Sequence, residues 1–206
     1  MYRIAIFLLY IISVGSCTSE PIGKEQQKFI QKIDITTKAE EALAYVESKG
    51  MNTDFCILID FSLHSGYKRF FIWDFNAKRV VESFMVSHGA GNHSWSGTSS
   101  KDDPTFSNED GSHLSSLGKY QIGERGWSNW GIHIKYLMHG LEETNSNALK
   151  RVIVLHSWEL VTNEETYPEG TPEGWGCPAV SNEAMETIDG YLKGVEKPVL
   201  LWIYNE

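Results

Sequence analysis

The chain has 206 residues and a net charge of −9, with 41% hydrophobic and 22% charged residues. This length and composition predict one globular domain with a substantial core. The negative charge, without any basic run, argues against a nucleic-acid partner. Aromatic residues make up 12% of the chain and include seven tryptophans, a residue type that serves both cores and clefts for carbohydrate or peptide.

The N-terminus has the pattern of an export signal. Arg3 supplies a positive charge, and the apolar segment 4–14 is short for a transmembrane helix. The run Val14-Gly15-Ser16-Cys17 resembles a bacterial lipobox, in which Cys17 becomes the lipidated first residue. We therefore expect a lipoprotein signal peptide over 1–17 and anchoring on the extracytoplasmic, periplasmic side of a bacterial cell envelope. A plain signal peptide cut nearby is the alternative.

Two helices are predicted in the rest of the chain. Residues 18–36 are polar without a clear period, which predicts a tether. The run Thr37-Lys38-Ala39-Glu40 matches a capping box, so a helix is expected from there to Gly50, as the start of a domain over 37–206. Ser181 is expected to cap a second helix that ends near Gly194.

Strand-like segments outnumber these helices, and no alternation of strands with helices occurs. We predict a single domain that is mainly β with a few helices, and a mostly antiparallel sheet. The long polar loop 94–116 is either a mobile surface excursion or a lid over a site. The predicted strands cover 55–61, 68–75, 79–87, 118–123, 130–136, 151–156 and 199–204, the second and third forming a hairpin.

Two further cysteines have different surroundings. Cys56 lies in an apolar run and is expected to be a small, inert core residue. A disulfide between Cys56 and Cys177 is possible in an oxidising compartment, but nothing in the sequence supports it. No paired-cysteine or His-Glu-x-x-His motif predicts a metal site.

Cys177 lies in a glycine-rich turn and is a candidate nucleophile, with His156 as its base. His156 ends the β-branched run 152–155, so a rigid strand would aim its ring. Gly176 would allow a tight turn, and the N–H of Cys177 and a neighbour would form an oxyanion hole. An imidazolium at His156 would favour the thiolate. The alternatives are a surface thiol and a structural histidine.

Motifs spread over 54–204 resemble the L,D-transpeptidase catalytic domain of the YkuD type, and most closely its second subfamily, the murein L,D-transpeptidase catalytic domain-like proteins. The resemblance rests on several segments in a fixed order: Val86-Ser87-His88-Gly89, Phe106-Ser107-Asn108, 115–120, His139-Gly140-Leu141-Glu142, Asn145, Asn147-Ala148, 151–156, Leu155-His156-Ser157 and Gly176-Cys177.

This resemblance implies a β-sandwich or barrel with Cys177 in a cleft. It implies that Cys177 attacks a peptidoglycan tetrapeptide at the bond between diaminopimelate and the terminal D-alanine. The resulting thioester would pass to the amine of a neighbouring stem, giving a 3–3 cross-link. His156 would transfer protons, and Ser157 would orient it through its main-chain carbonyl. The strand with Ser116, Gly118 and Tyr120 would lie near the cleft and bind substrate.

The sequence departs from the commoner family pattern at two positions. Trp175 stands where a histidine is usual, and no arginine follows the cysteine in Pro178-Ala179-Val180. Arg151 could bind a substrate carboxylate instead, or form a structural ion pair. His88 matches the family and could line the cleft, whereas His93 and His113 are expected to be solvated or structural.

Three functions remain open from the sequence. The first is an L,D-transpeptidase, and the second is an L,D-carboxypeptidase or endopeptidase in which water resolves the thioester. The third is a wall-binding lipoprotein without catalysis. The Trp127-Ser128-Asn129-Trp130 stretch could stack on sugar or pack in the core. No cofactor or metal is expected, the partners are peptidoglycan stems and the membrane, and we expect a monomer.

Overall fold

In the part of the chain that the structure describes, eight β-strands form one sheet, flanked by two α-helices. The computed structural model describes residues 24–206, and side chains from residue 35 onward. The elements are α1 Lys24–Lys49, β1 Phe55–Asp60, β2 Phe70–Asp74, β3 Arg79–Phe84, β4 Gly118–Trp127, β5 Ile134–Gly140, a 3₁₀ turn Glu143–Asn145, β6 Val154–Ser157, β7 Ala179–Val180, α2 Asn182–Leu192 and β8 Leu200–Tyr204.

The strand order in the sheet is β3-β2-β1-β8-β4-β5-β6-β7. Neighbouring strands are antiparallel, apart from the parallel pairs β1–β8 and β6–β7. The pairing of β1 with β8 joins the first and last strands of the chain at the centre of the sheet. The prediction of a single, mainly β domain with a mostly antiparallel sheet is confirmed.

The sheet curls into a nearly closed barrel. Its two edge strands, β3 and β7, approach each other through the chain that follows β3. The N–H of Ser87 donates to the carbonyl of Ala179 at 2.8 Å, and the N–H of Ala179 lies 3.4 Å from the hydroxyl of Ser87. This contact brings the start of the long 85–117 connection against β7, two residues after Cys177.

Residues of β1 alternate between two cores, as the period of a strand requires. Ile57 and Ile59 pack into the core that α2 covers, whereas Cys56 and Leu58 face the core that α1 covers. Cys56 is fully buried and free, and burial raises the pKa of its thiol. Both Cys56 and Cys177 are free thiols, and Cys56 is the core residue that was predicted.

Helix α1 begins earlier than the sequence predicted. The capping box at Thr37 lies within the helix, and the segment predicted as a tether is helical from Lys24 onward. The apolar stripe that packs against the sheet reaches back to Ile35, two residues before Thr37, so tertiary packing keeps the helix continuous across the predicted cap. Its buried residues are Ile35, Ala39, Ala42 and Val46. Helix α2 starts as predicted, with the Ser181 hydroxyl accepting from the N–H of Ala184 at 3.0 Å.

Strand β5 starts at Ile134, four residues after its predicted start at Trp130. The residues before it form a turn instead, because Gly131 and His133 both have positive φ angles.

The signal sequence and the lipobox with Cys17 lie outside the described residues. Across 24–206, neither helix combines the length and apolar character that a membrane span needs.

Candidate active site

Cys177 and His156 come together through the short parallel pair of β6 and β7. In its register, His156 is the partner of Ala179, which lies two residues after Cys177. The two functional side chains line the same cleft. The loop between them therefore folds back as the sequence predicted, and the pairing depends on a two-residue strand that the sequence did not reveal.

The thiol of Cys177 is partly exposed and points towards the turn before β6. Its sulfur lies 3.4 Å from the N–H of Val154 and 3.6 Å from the carbonyl oxygen of Val152. Val152 has a positive φ of 58°, an uncommon conformation for a β-branched residue. This turn thus supplies one donor and one acceptor to the sulfur.

His156 is held by a neighbouring main-chain group. Its Nδ1 atom lies 2.8 Å from the carbonyl oxygen of Ser157, and the ring is buried with 8% of its surface exposed. Because a carbonyl only accepts, Nδ1 must carry the proton. In the neutral ring, Nε2 then keeps its lone pair and is able to take a proton.

The protonation states of the pair differ from the predicted thiolate and imidazolium. Burial raises the pKa of the Cys177 thiol, and the Val154 N–H with the charge of Arg151 offsets this only in part. Burial likewise lowers the pKa of His156, against the opposing hydrogen bond to Ser157. Both shifts favour the neutral form at pH 7, of the thiol and of the imidazole that lines the same cleft, so the pair is suited to general-base activation during attack.

Lys135 is the charged residue that acts on both members of the pair. It lies opposite His156 in the antiparallel register of β5 and β6, where opposed side chains share one face of the sheet. Its positive charge lowers the pKa of both His156 and Cys177. The sequence analysis missed this residue, because only the strand register places it beside the histidine.

Gly176 makes the turn that presents the nucleophile. Its φ is +99°, and a Cβ there would lie 2.5 Å from the carbonyl oxygen of Leu114. The Ser115 hydroxyl donates to the Gly176 carbonyl at 3.1 Å, which fixes the peptide before Cys177. Among the residues that the structure describes, none accepts a hydrogen bond from the Cys177 N–H. That donor is thus available to an oxyanion.

Four tryptophans wall the cleft beside the thiol, and we call them the tryptophan cluster: Trp95, Trp130, Trp158 and Trp175. Trp95 is central, with ring centroids 5.0 Å from Trp158, 6.0 Å from Trp130 and 6.3 Å from Trp175. Trp158 is buried, while the other three rings are 40–60% exposed. Trp95 comes from the long polar loop, which therefore contributes to the site.

Trp175, at the position where a histidine is usual in the family, lines the cleft, and His113 stacks on it with centroids 5.4 Å apart. Trp130 also lines the cleft, whereas Trp127 is 68% exposed and stacks on His133. The overall tryptophan content was a signal for such a cleft. It did not show which rings would meet, because Trp95 and Trp158 lie on distant segments.

His88 is buried, and its contacts correct the suggestion that it lines the cleft. Its Nδ1 accepts from the Arg69 guanidinium at 2.7 Å, and its Nε2 lies 2.9 Å from the Ser100 hydroxyl. Both His88 and Arg69 have no exposed surface. Glu173, also buried, accepts from the N–H of Ser100 at 2.7 Å. This buried network fastens the long loop behind the cleft.

The other residues expected to bind substrate lie in the scaffold. Arg151 donates to the carbonyls of Ser107 and Leu114 and to two serine hydroxyls, one of them that of Ser116. Ser116 and Tyr120 are buried, and the Tyr120 hydroxyl donates to the Ser116 carbonyl at 2.8 Å. Gly118 packs against Glu142 and Asn145. These contacts favour a structural role for all four residues. Arg151 stabilises the scaffold through hydrogen bonds to neutral oxygens, whereas the sequence had suggested a structural ion pair.

No group of three or more His, Cys, Asp or Glu side chains in the described part of the chain could hold a metal ion. The reactive groups that line the cleft are the thiol of Cys177 and the imidazole of His156. A partly exposed cysteine beside a tethered neutral histidine suits acyl transfer through a thioester.

A family model described as the L,D-transpeptidase catalytic domain matches residues 26–204. The chain belongs to this family, which supports a function in peptidoglycan modification. No curated protein matches the chain significantly.

Several solved structures are similar to the chain. Bd1075 of Bdellovibrio bacteriovorus is 15% identical with a TM-score of 0.44, and the match covers 77% of this chain and 50% of that one. The helical cell shape determining protein Pgp2 of Campylobacter jejuni is 13% identical with a TM-score of 0.45, and the match covers 74% of this chain and 48% of that one. An L,D-transpeptidase (residues 123–326) of Xylanimonas cellulosilytica is 14% identical with a TM-score of 0.39, and the match covers 73% of this chain and 60% of that one. The chain spans about half the length of the first two.

Proposed function

We propose that this protein is a cysteine-dependent L,D-transpeptidase that forms 3–3 cross-links between peptidoglycan stems. The observation that carries the proposal is the meeting of Cys177 and His156 in one cleft, with His156 Nδ1 held by the Ser157 carbonyl. Family membership supports the choice of peptidoglycan as substrate. Lipidation at Cys17 would keep the domain at the outer side of a bacterial membrane.

In the first half-reaction, Cys177 attacks the carbonyl that joins diaminopimelate to the terminal D-alanine. The thiol proton passes to His156 Nε2 as the carbon–sulfur bond forms, since both groups start neutral. The Cys177 N–H stabilises the oxyanion. D-alanine leaves as the amine after it takes the proton from His156, and a thioester remains on Cys177.

In the second half-reaction, the side-chain amine of a neighbouring stem attacks the thioester. His156 accepts a proton from this amine, the new amide forms, and the thiol of Cys177 is restored. The alternative outcome uses the same residues with water as the nucleophile, which gives an L,D-carboxypeptidase or endopeptidase. A wall-binding protein without catalysis is the third possibility.

The experiment is incubation of the purified full chain with a disaccharide-tetrapeptide, followed by mass analysis of the products, with Cys177→Ala in parallel. We expect a dimer that has lost one D-alanine, and no product from the variant. A tripeptide without dimer would show hydrolysis instead. Unchanged substrate with both proteins would contradict an enzymatic function on this stem.

A further inference from the structure

The wall of the cleft beside Cys177 is aromatic and uncharged. The tryptophan cluster lines it together with Cys177 and His156, and no Asp, Glu, Lys or Arg contributes to the lining among the described residues. Family membership and the Cys–His pair do not explain why four tryptophans meet there. Exposed aromatic surface of this extent is unfavourable in water, and it marks a place where something binds.

The cluster is fixed by the surrounding fold. The N–H of Ser96 donates to the Glu173 carbonyl, and the N–H of Glu173 donates to the Gly97 carbonyl, so the loop with Trp95 is tied to the chain that leads to Cys177. Trp95 then packs on the buried ring of Trp158, with an angle of 32° between the ring planes. These contacts hold the rings in place before any ligand arrives.

The shape of the cleft favours a linear side chain over a sugar. Its volume is about 100 Å³, well below the roughly 300–1,000 Å³ of pockets that enclose a drug-sized ligand. The rings of Trp95 and Trp130 are inclined by 44°, and those of Trp130 and Trp158 by 70°. Because these rings pack against one another at inclined angles, the wall that they form has no single flat face on which a sugar ring could stack.

The charge pattern favours a narrow group that carries an amine. Tryptophan faces attract ammonium groups, and their apolar surface takes methylene chains. The positive charges that act on Cys177 come from Lys135 and Arg151, which do not line this cleft. The substrate carboxylates are therefore expected on the Lys135 side, and an amine-bearing arm on the tryptophan side.

We propose that the tryptophan cluster is the acceptor subsite and takes an aliphatic side chain that ends in a primary amine. This assignment rests on the proposed acyl transfer. The ammonium first loses one proton to solvent, and the nitrogen of the neutral amine then attacks the thioester carbonyl while His156, which lines the same cleft, takes a second proton from it. The carbon–nitrogen bond forms, the carbon–sulfur bond breaks, and the proton on His156 returns to the sulfur of Cys177. No other reactant is needed.

A binding experiment tests the subsite without catalysis. In the Cys177→Ala background, calorimetry would compare a disaccharide-tripeptide that carries the side-chain amine with the same compound in which hydrogen replaces that amine. We expect the amine to tighten binding, and Trp95→Ala or Trp130→Ala to weaken binding of the amine compound by about fivefold or more. Trp127→Ala, outside the cluster, is the matched control. Equal affinities across the variants would overturn the proposal.

A kinetic experiment with isotope-labelled tetrapeptide donor and unlabelled tripeptide acceptor separates the two half-reactions. In Trp95→Ala and Trp130→Ala, we expect the ratio of cross-linked dimer to labelled tripeptide to fall, because the acceptor KM rises and transfer suffers more than acylation. Trp95→Phe, which keeps an aromatic face, should restore part of the ratio. Equal losses of acylation and transfer would assign the cluster to the donor and contradict the proposal.

Repeating the binding measurement with a tripeptide that lacks the disaccharide shows whether the tryptophan cluster binds the sugar or the peptide side chain. If the variants lose affinity only for the disaccharide form, the cluster binds glycan and the acceptor subsite is wrong. If the wild-type protein binds the amine through the cluster but never forms a thioester, the proposed function fails, and the cluster is an amine-binding site without a role as acceptor subsite. The two proposals thus have separate ways to fail.

Discussion

The Nδ1 atom of His156 lies 2.8 Å from the main-chain carbonyl oxygen of the next residue, Ser157. The contact orients the catalytic ring with a backbone group, so no carboxylate is needed to select the tautomer. The Ser157 hydroxyl has a different task, since it accepts from the N–H of Ile132 at 3.0 Å. In the proposed mechanism, the carbonyl of Ser157 would therefore serve catalysis, whereas its hydroxyl supports the fold.

This division predicts different outcomes for substitutions at the two positions. His156→Gln should lower kcat by about 10²–10⁴-fold through loss of the base, with little change in unfolding. Ser157→Ala should keep the ring oriented and change kcat only a few-fold. It should lower the free energy of unfolding by about 0.5–1.5 kcal/mol, because the half-buried N–H of Ile132 loses its acceptor. Steady-state kinetics and urea unfolding check both.

The opposite pattern would contradict this account of Ser157. If Ser157→Ala removes activity while the protein stays as stable as the wild type, the hydroxyl and not the carbonyl orients His156.

Lys135 should control the pH dependence of the pair. Its charge lowers the pKa of His156 and of Cys177, so Lys135→Met should raise both. Activity needs neutral His156 and is lost as pH falls through the pKa of its ring. The acid limb of kcat/KM should therefore move to higher pH in the variant. The midpoint for iodoacetamide alkylation of Cys177 should also rise, from a value already above that of an ordinary thiol.

Lys150→Met is the matched control for the charge, because Lys150 is exposed and pairs with Asp110 at 3.3 Å. Its pH profile should follow the wild type. A Cys177 that alkylates rapidly at neutral pH would show a thiolate ground state, and would contradict the neutral pair.

Gly176 should tolerate no side chain. With a φ of +99° and the Leu114 carbonyl in the way, Gly176→Ala must shift the turn that carries Cys177. We expect a cost of about 1–3 kcal/mol in unfolding and a loss of about 10²-fold in kcat/KM from the displaced sulfur. Gly190→Ala is the control, since nothing lies within 4 Å of its added Cβ. It should stabilise α2 by about 0.5–1 kcal/mol. A fully active Gly176→Ala would show that the turn is not needed.

Among the charged residues, Arg69 is the one whose removal is expected to lower the free energy of unfolding most. Its buried guanidinium donates to the carbonyls of Val86 and Leu63 and to His88, and burial lowers its pKa against the charges of Asp60 and Glu173. Arg69→Met should destabilise the fold by about 3–5 kcal/mol, as expected when one member of a buried charge network is lost.

Thermal and urea unfolding would measure this effect, with Lys150→Ala as an exposed control worth about 0–1 kcal/mol. A change in Arg69→Met as small as that of the control would show that the network does not support the loop.

The sequence predicted the parts of this fold that depend on local pattern. The apolar run around Cys56 predicted that this residue lies in the core, and Ser181 marked the start of α2. The order of motifs led to the correct family and brought Cys177 and His156 into one site. The start of α1 was wrong, because packing of Ile35 and Ala39 on the sheet outweighs the capping preference at Thr37.

The walls of the site could not be predicted from local pattern. Trp95 lies in the cleft because hydrogen bonds fasten its loop, and it packs there on Trp158, which follows the end of β6. Lys135 acts on the pair only because the strand register places it opposite His156. His88 and Arg151 carry polar groups of the kind that bind substrates, but they satisfy buried oxygens and nitrogens of the scaffold instead. A sequence shows the type of side chain, whereas the topology decides which face of the sheet it occupies.

The most direct measurement is the intact mass of the full chain, quenched with acid soon after mixing with a disaccharide-tetrapeptide. The account predicts an adduct whose mass equals that of the disaccharide-tetrapeptide minus one free D-alanine, located on Cys177 by peptide mapping. It should be absent in Cys177→Ala and form far more slowly in His156→Gln. Turnover of the substrate with no adduct on Cys177, or an adduct that persists in Cys177→Ala, would contradict the assignment of this thiol as the nucleophile.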